Sequence, residues 1–128
     1  MRVAVYGTLK EGESNHLRLL PGEKPVFRGF VTIPYRMFEN GEYPMLVPDR
    51  ERHPIWVEVF DLSPEKIREL DALEEPYEYR RHRIDVAELG DLEIYAHDAP
   101  APAGFALVES GEWKSRRASS RPERDSRR

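Results

Sequence analysis

The stretch Leu62-Ser63-Pro64-Glu65-Lys66-Ile67-Arg68-Glu69-Leu70-Asp71-Ala72-Leu73-Glu74-Glu75-Pro76 carries the firmest helical signal in this 128-residue chain. Ser63 is a good N-cap, and Pro64 falls at the first helical position, where a missing N–H costs nothing. Leu62 and Ile67 are spaced to meet across the cap as a hydrophobic staple. Ile67, Leu70 and Leu73 recur on one face at the helical period. Pro76 forbids continuation. The pattern predicts one amphipathic helix from Pro64 to about Glu74, with a single face to bury.

Outward from that helix the pattern changes. Upstream, Ile55, Val57 and Val59 alternate with Trp56, Glu58 and Phe60, as in a strand with two differing faces. Lys24 to Thr32 is strand-like. Pro34 to Phe38 and Met45 to Val47 read as short extended pieces around the hairpin dipeptide Asn40-Gly41. Near the N-terminus a strand from Arg2 to Tyr6 ends at Gly7. Ser14 to Leu20 reads as a short helix capped by Ser14, with Leu17 and Leu20 on one side and Pro21-Gly22 stopping it. Downstream, Tyr79 to Val86 and Leu92 to His97 are strands with Gly90-Asp91 as the hairpin between them. Eight Gly and eleven Pro punctuate the whole chain. About six short strands with one firm helix predict an α+β domain whose sheet is curled or closed against that helix.

Composition narrows the function. There is no cysteine, which excludes a disulfide framework, a thiol nucleophile and a Cys-based zinc site. No apolar run approaches the ~20 residues of a membrane span. Met1-Arg2-Val3-Ala4-Val5 lacks the form of a signal peptide, so a soluble cytoplasmic protein is expected. The net charge of −4 is unevenly spread. Residues 114–128 hold seven Lys/Arg against two Asp/Glu, which leaves 1–113 strongly acidic. An acidic body argues against nucleic-acid binding. The Ser/Arg-rich tail cannot bury a core and reads as disordered, a solubilising terminus in preference to a weak electrostatic arm for anions or acidic partners. The expected division is a domain over 1–113 and a tail over 114–128.

Two places can carry chemistry. Glu74 lies seven residues after Ile67 and so projects within ~20° of the apolar stripe. A carboxylate there breaks the binary pattern, as functional sites do. Burial raises its pKa toward neutrality, as a general base near pH 7 requires; the alternative is a frayed last turn with Glu74 in water. Asp71, ~40° from Ile67 on the other side, is either part of the same site or, the favoured reading, the holder of a structural hydrogen bond. The second place is the turn Tyr6-Gly7-Thr8-Leu9, where consecutive N–H groups can form an anion-binding nest, or an ordinary strand-to-loop turn. It is not a P-loop, because no Gly-Lys-Ser/Thr follows. The four histidines, His16, His53, His82 and His97, show no spacing of the H-E-x-x-H kind, and His82 reads as a packed structural residue rather than a metal ligand. Tyr79, Arg81 and Tyr95 fall on the last two strands, as pocket lining or as ordinary strand residues.

Taken in order, Val5-Tyr6-Gly7-Thr8-Leu9-Lys10 with Gly12 and Asn15-His16, Tyr43-Pro44-Met45-Leu46, Val57-Glu58-Val59-Phe60, Leu70-Asp71-Ala72-Leu73-Glu74, Tyr79-Arg80-Arg81 and Gly111-Glu112-Trp113 resemble the gamma-glutamylcyclotransferase-like family. The similarity spans about residues 3–113 and is strongest to its gamma-glutamylamine cyclotransferase branch. It implies a small mixed β-barrel with one or two flanking helices. It also implies an activity: conversion of a gamma-glutamyl amine or amino acid to 5-oxoproline and a free amine, without metal or organic cofactor. Glu74 would be the base and then the acid. Tyr6, Gly7, Thr8 and Leu9 would bind substrate, with Tyr79 and Tyr95 as walls and Arg81 bracing the carboxylates. Glu58 is the rival base. Val57 stands where the family usually has Gly, and Glu75 where Gly often follows the catalytic Glu. The competing reading is a non-catalytic module that binds a small anionic metabolite on the same barrel.

Overall fold

A computed structural model describes residues 1–115; residues 116–128, most of the basic tail, lie outside the described residues. The strands are β1 (Arg2–Val5), β2 (Phe27–Glu39), β3 (Pro44–Asp61), β4 (Arg80–Val86), β5 (Gly90–Ala96) and β6 (Ala106–Leu107). The helices are α1 (Ser14–Leu19) and α2 (Pro64–Glu74), the latter followed by a 3₁₀ turn, Glu75–Tyr77. One mixed sheet runs β4-β5-β1-β3-β2-β6. Only the β1–β5 pair is parallel.

The sheet curls. Tyr35 on β2 and His82 on β4 are far apart in strand order, yet the Tyr35 hydroxyl lies 2.9 Å from His82 Nδ1. The long β2–β3 ladder supplies the bend: its register shifts between Ile33 and Tyr35, at Pro34. Proline has no N–H for the ladder, so the strand runs through it with an irregularity. The separate pieces expected at Pro34–Phe38 and Met45–Val47 are therefore parts of β2 and β3. The hairpin between them lies where Asn40-Gly41 places it. Asn40 Oδ1 accepts from the amides of Glu42 and Tyr43 at 2.9 and 3.0 Å, and Gly41 takes φ 95°.

Both faces are buried near β1. Ala4 and Tyr6 join the core inside the curl, while Val3 and Val5 join a second core under α2. The same holds for β3, whose two faces separate as expected: Ile55, Val57 and Val59 join the core inside the curl, while Phe60 joins the core under α2. The α2 helix begins as read: Ser63 Oγ accepts from Lys66 N at 3.2 Å, and Leu62, Ile67 and Leu70 are buried together. Truncating a side chain as buried as Leu70 costs ~2–5 kcal/mol.

Several local expectations are corrected. Pro76 ends the α-helix, but the chain winds one further 3₁₀ turn. In α1, Glu13 occupies the cap position without a side-chain bond. Leu17 is exposed and His16 is buried in its place, against Phe60 at 5.6 Å between rings. The β4–β5 turn falls on residues 87–89, and Gly90 already pairs with Val86. No helix among the described residues is long and apolar enough to cross a membrane.

Candidate active site

The C-terminal ends of β1 and α2 meet at a cavity of about 310 Å³. Its lining includes Tyr6, Gly7, Thr8 and Leu9 from the turn after β1, Leu73 and Glu74 from α2, Tyr79 at the head of β4 and Tyr95 from β5. Residues far apart in sequence are thus brought together because β1 sits between β5 and β3 in the sheet. Of the predicted site residues, Arg81 alone does not line it. Its Nε donates to Asp71 at 2.8 Å and its Nη1 to Glu93 at 3.1 Å.

Glu74 is half-buried, on the last turn of α2. No hydrogen bond or ion pair joins its carboxylate to another of the described residues. Burial away from water pushes its pKa up to about 7, and no neighbouring cation pulls it back. The carboxyl is therefore close to evenly divided between acid and base at neutral pH.

Tyrosines wall the rest. The Tyr6 hydroxyl donates to the Tyr95 carbonyl at 2.6 Å, and Tyr79 donates to the Pro44 carbonyl. Tyr95 donates to Asp71 Oδ1 at 2.6 Å, so Asp71 has the structural role its helix position suggests, holding Tyr95 and Arg81 at once. Burial raises the pKa of all three phenols, and the Glu74 charge adds to it. They remain neutral donors at any physiological pH.

The turn after β1 closes with Lys10 N donating to the Gly7 carbonyl at 3.0 Å. The Thr8 carbonyl accepts from the amides of Asn15 and His16 at 2.9 and 3.0 Å, and Asn15 Nδ2 donates to Thr8 Oγ1 at 2.8 Å. The amides of Gly7, Thr8 and Leu9 have no acceptor among the described residues. Consecutive unpaired N–H groups are what an anion site uses. Gly7 is required by close approach rather than by an unusual turn: a Cβ there would lie 2.8 Å from Pro44 Cγ.

The lining also includes residues missing from the sequence-based set, among them Arg18, Glu42 and Tyr77. Arg18 had a local signal, its spacing three residues after Asn15, whose Oδ1 it reaches at 3.0 Å. Glu42 and Tyr77 had none, since only the curl of the sheet brings the β2–β3 hairpin to the end of α2. The rival base Glu58 is buried outside the cavity, accepting from Glu11 N at 2.7 Å. Val57 is fully buried in the core and Glu75 is exposed; neither narrows nor lines the cavity. Of the other histidines, His53 stands with Asp49 and Glu51 in a group whose ligand atoms lie within 4.8 Å. Arg36 Nε sits 2.7 Å from Asp49 in the same group, supplying the positive charge that a metal ion would.

With this geometry in view, the comparisons with known proteins are specific. A Vibrio cholerae protein named "Putative gamma-glutamylcyclotransferase" is 35% identical over 116 residues, covering 89% of this chain and 96% of that one. The Bos taurus gamma-glutamylaminecyclotransferase is 39% identical over 107 residues, covering 74% of this chain and 63% of the bovine one. The crystal structure of an AIG2-like protein from Mus musculus superposes with a TM-score of 0.64 at 24% identity, over 88% of this chain and 87% of that one. The sequence model of one family matches residues 3–115, from β1 through Trp113. The chain belongs to the gamma-glutamyl cyclotransferase, AIG2-like family.

Proposed function

We propose that this protein cyclises a gamma-glutamyl group to 5-oxoproline and releases an amine, with Glu74 as the only acid–base group. The observation that carries this reading is the Glu74 carboxyl, without a partner among the described residues and with its pKa raised to about 7 by burial, in the same cavity as the Gly7–Leu9 turn, whose amides have no acceptor among the described residues. The amides of Gly7, Thr8 and Leu9 hold the substrate's α-carboxylate. The α-ammonium then faces Glu74, which takes one proton. The freed amine attacks the γ-carbonyl carbon, forming the ring C–N bond, and the bond to the leaving nitrogen breaks. Of the three ammonium protons, one stays on the lactam nitrogen. The other two pass in turn through Glu74 to the leaving nitrogen, which departs as an ammonium. Every atom is accounted for by the substrate and one carboxyl. General acid–base help of this kind contributes ~10²–10⁴-fold, and the holding of a five-membered closure in near-attack geometry adds to it.

The test is a panel of gamma-glutamyl amines, gamma-glutamyl amino acids and glutathione, with 5-oxoproline followed by mass spectrometry. Wild-type product with none from Glu74→Gln is the expected result. Near-normal turnover by a folded Gln variant would refute the assignment. Ligand-induced thermal stabilisation with no 5-oxoproline from any substrate would replace the enzyme by a metabolite-binding module.

A further inference from the structure

The Gly7–Leu9 turn lines the cavity but belongs to no helix or strand, and Lys10, which follows it, does not line the cavity. Lys10 is buried. Its ammonium donates to the Trp113 carbonyl at 2.5 Å and lies 5.9 Å from the centre of the Trp113 ring. Trp113 is itself buried, 103 residues downstream. The segment it ends is locked to the sheet: Trp56 N donates to the Gly111 carbonyl at 2.8 Å, and Gly111 N to the Val108 carbonyl at 3.1 Å. Gly111 has φ 75°, and a Cβ there would lie 2.0 Å from the Pro54 carbonyl oxygen. The next residue, Glu11, gives its amide to the buried Glu58 carboxylate.

Lys10 and Glu58 are both buried beside this turn and attract one another, and such charges are costly to desolvate unless each is engaged. Packing alone would be met by an apolar residue at position 10. What an ammonium adds is a directed bond to a fixed carbonyl and a positive charge next to the turn that lines the cavity. We propose that Lys10 is a positioning residue for carboxylate recognition, using the anchored Trp113 carbonyl to hold the Gly7–Leu9 amides in their concave arrangement. This rests on the cyclotransferase reading for its substrate, but its geometric content does not. Lys10 does not line the cavity, and Glu74 is carried by α2, which this brace does not touch. Loss of Lys10 therefore weakens substrate binding and leaves the proton transfer intact.

The experiment compares wild type with Lys10→Met, and with Lys10→Gln should the Met variant fail to fold. Kinetics are measured across pH, 5-oxoproline is titrated as a binding probe, and the amide resonances of Gly7, Thr8 and Leu9 are followed by NMR. The expected result is a KM raised about tenfold or more, a kcat within about threefold, as for one lost charged hydrogen bond in ground-state binding. The pH midpoint stays in place, the 7–9 resonances move and 5-oxoproline binds more weakly. Lys10→Arg, which keeps the charge and donors, recovers part of the affinity. An unchanged KM, unmoved 7–9 resonances, or a variant that loses only thermal stability overturns the proposal. A wild type that binds 5-oxoproline but turns over nothing, with binding weakened and the resonances moved in the variant, supports the positioning role and overturns the cyclotransferase reading.

Discussion

Replacing Glu74 with Gln tests stability and chemistry through one side chain. In the folded protein the Glu74 carboxyl titrates at about 7, against 4.5 for an ordinary glutamate, and burial is the cause. Below 4.5 both folded and unfolded chains hold the proton, so the carboxyl costs the fold nothing. Between 4.5 and about 7 the unfolded chain releases its proton while the folded chain keeps it, and folding loses stability as pH rises. Above about 7 both are ionised and the loss is complete. At ~1.36 kcal/mol per pH unit that interval amounts to ~3 kcal/mol, reduced toward ~2 by the water that reaches a half-buried group. Gln is neutral throughout. The stability of Glu74→Gln relative to wild type should therefore climb by ~2–3 kcal/mol between about pH 4 and about pH 8. Urea unfolding followed by the fluorescence of Trp56 and Trp113 reads this directly across the pH series. At the alkaline end, where the variant is the more stable protein, its kcat should be lower by ~10²–10⁴-fold. Parallel stability curves across the series would show an ordinary, hydrated carboxylate, and the reasoning that makes Glu74 a neutral-pH base would fail with it.

Two further outcomes follow from the same geometry. Gly7→Ala puts a Cβ 2.8 Å from Pro44 Cγ; the turn must shift, at ~1–3 kcal/mol of stability, and thermal melts with steady-state kinetics should show a lower Tm and a raised KM. Asp71→Asn weakens the acceptor shared by the Tyr95 hydroxyl and Arg81, costing ~1–3 kcal/mol; chemical denaturation should record that loss, and kcat should fall because Tyr95 walls the cavity.

The helix from Pro64 to Glu74 was legible because its signals are local: a cap, a proline at the first position and an apolar stripe all lie within one short segment. Glu74 was legible for the same reason, as a carboxylate on the wrong side of a stripe. The β1 turn was legible as a strand end and as a candidate nest, but not whether its amides lack acceptors, since partners are set elsewhere in the chain. Leu17 and His16 were exchanged because a six-residue helix has too few turns for its period to identify the buried face. From Ile55 to Phe60 the two faces were legible, but not what lies against each. The strand pattern could not show that α2 covers the second face, nor that Glu58 would bind a loop amide instead of facing the cavity. Arg81 was legible as a strand residue bracing carboxylates, but not which ones, because Asp71 and Glu93 come from two other elements and neither is in the cavity lining.

What the sequence by itself determined is whatever depends on neighbours in the chain: the α2 cap and stripe, the Asn40-Gly41 hairpin, the misplaced carboxylate and the order of motifs that marks the family. The tertiary structure alone decided what depends on distance through space. The curl at Pro34, the burial that lifts the Glu74 pKa, the approach of Pro44 to Gly7 and the tie from Lys10 to Trp113 each join segments tens of residues apart. Desolvation and steric contact are set by three-dimensional neighbours, which local periodicity does not encode.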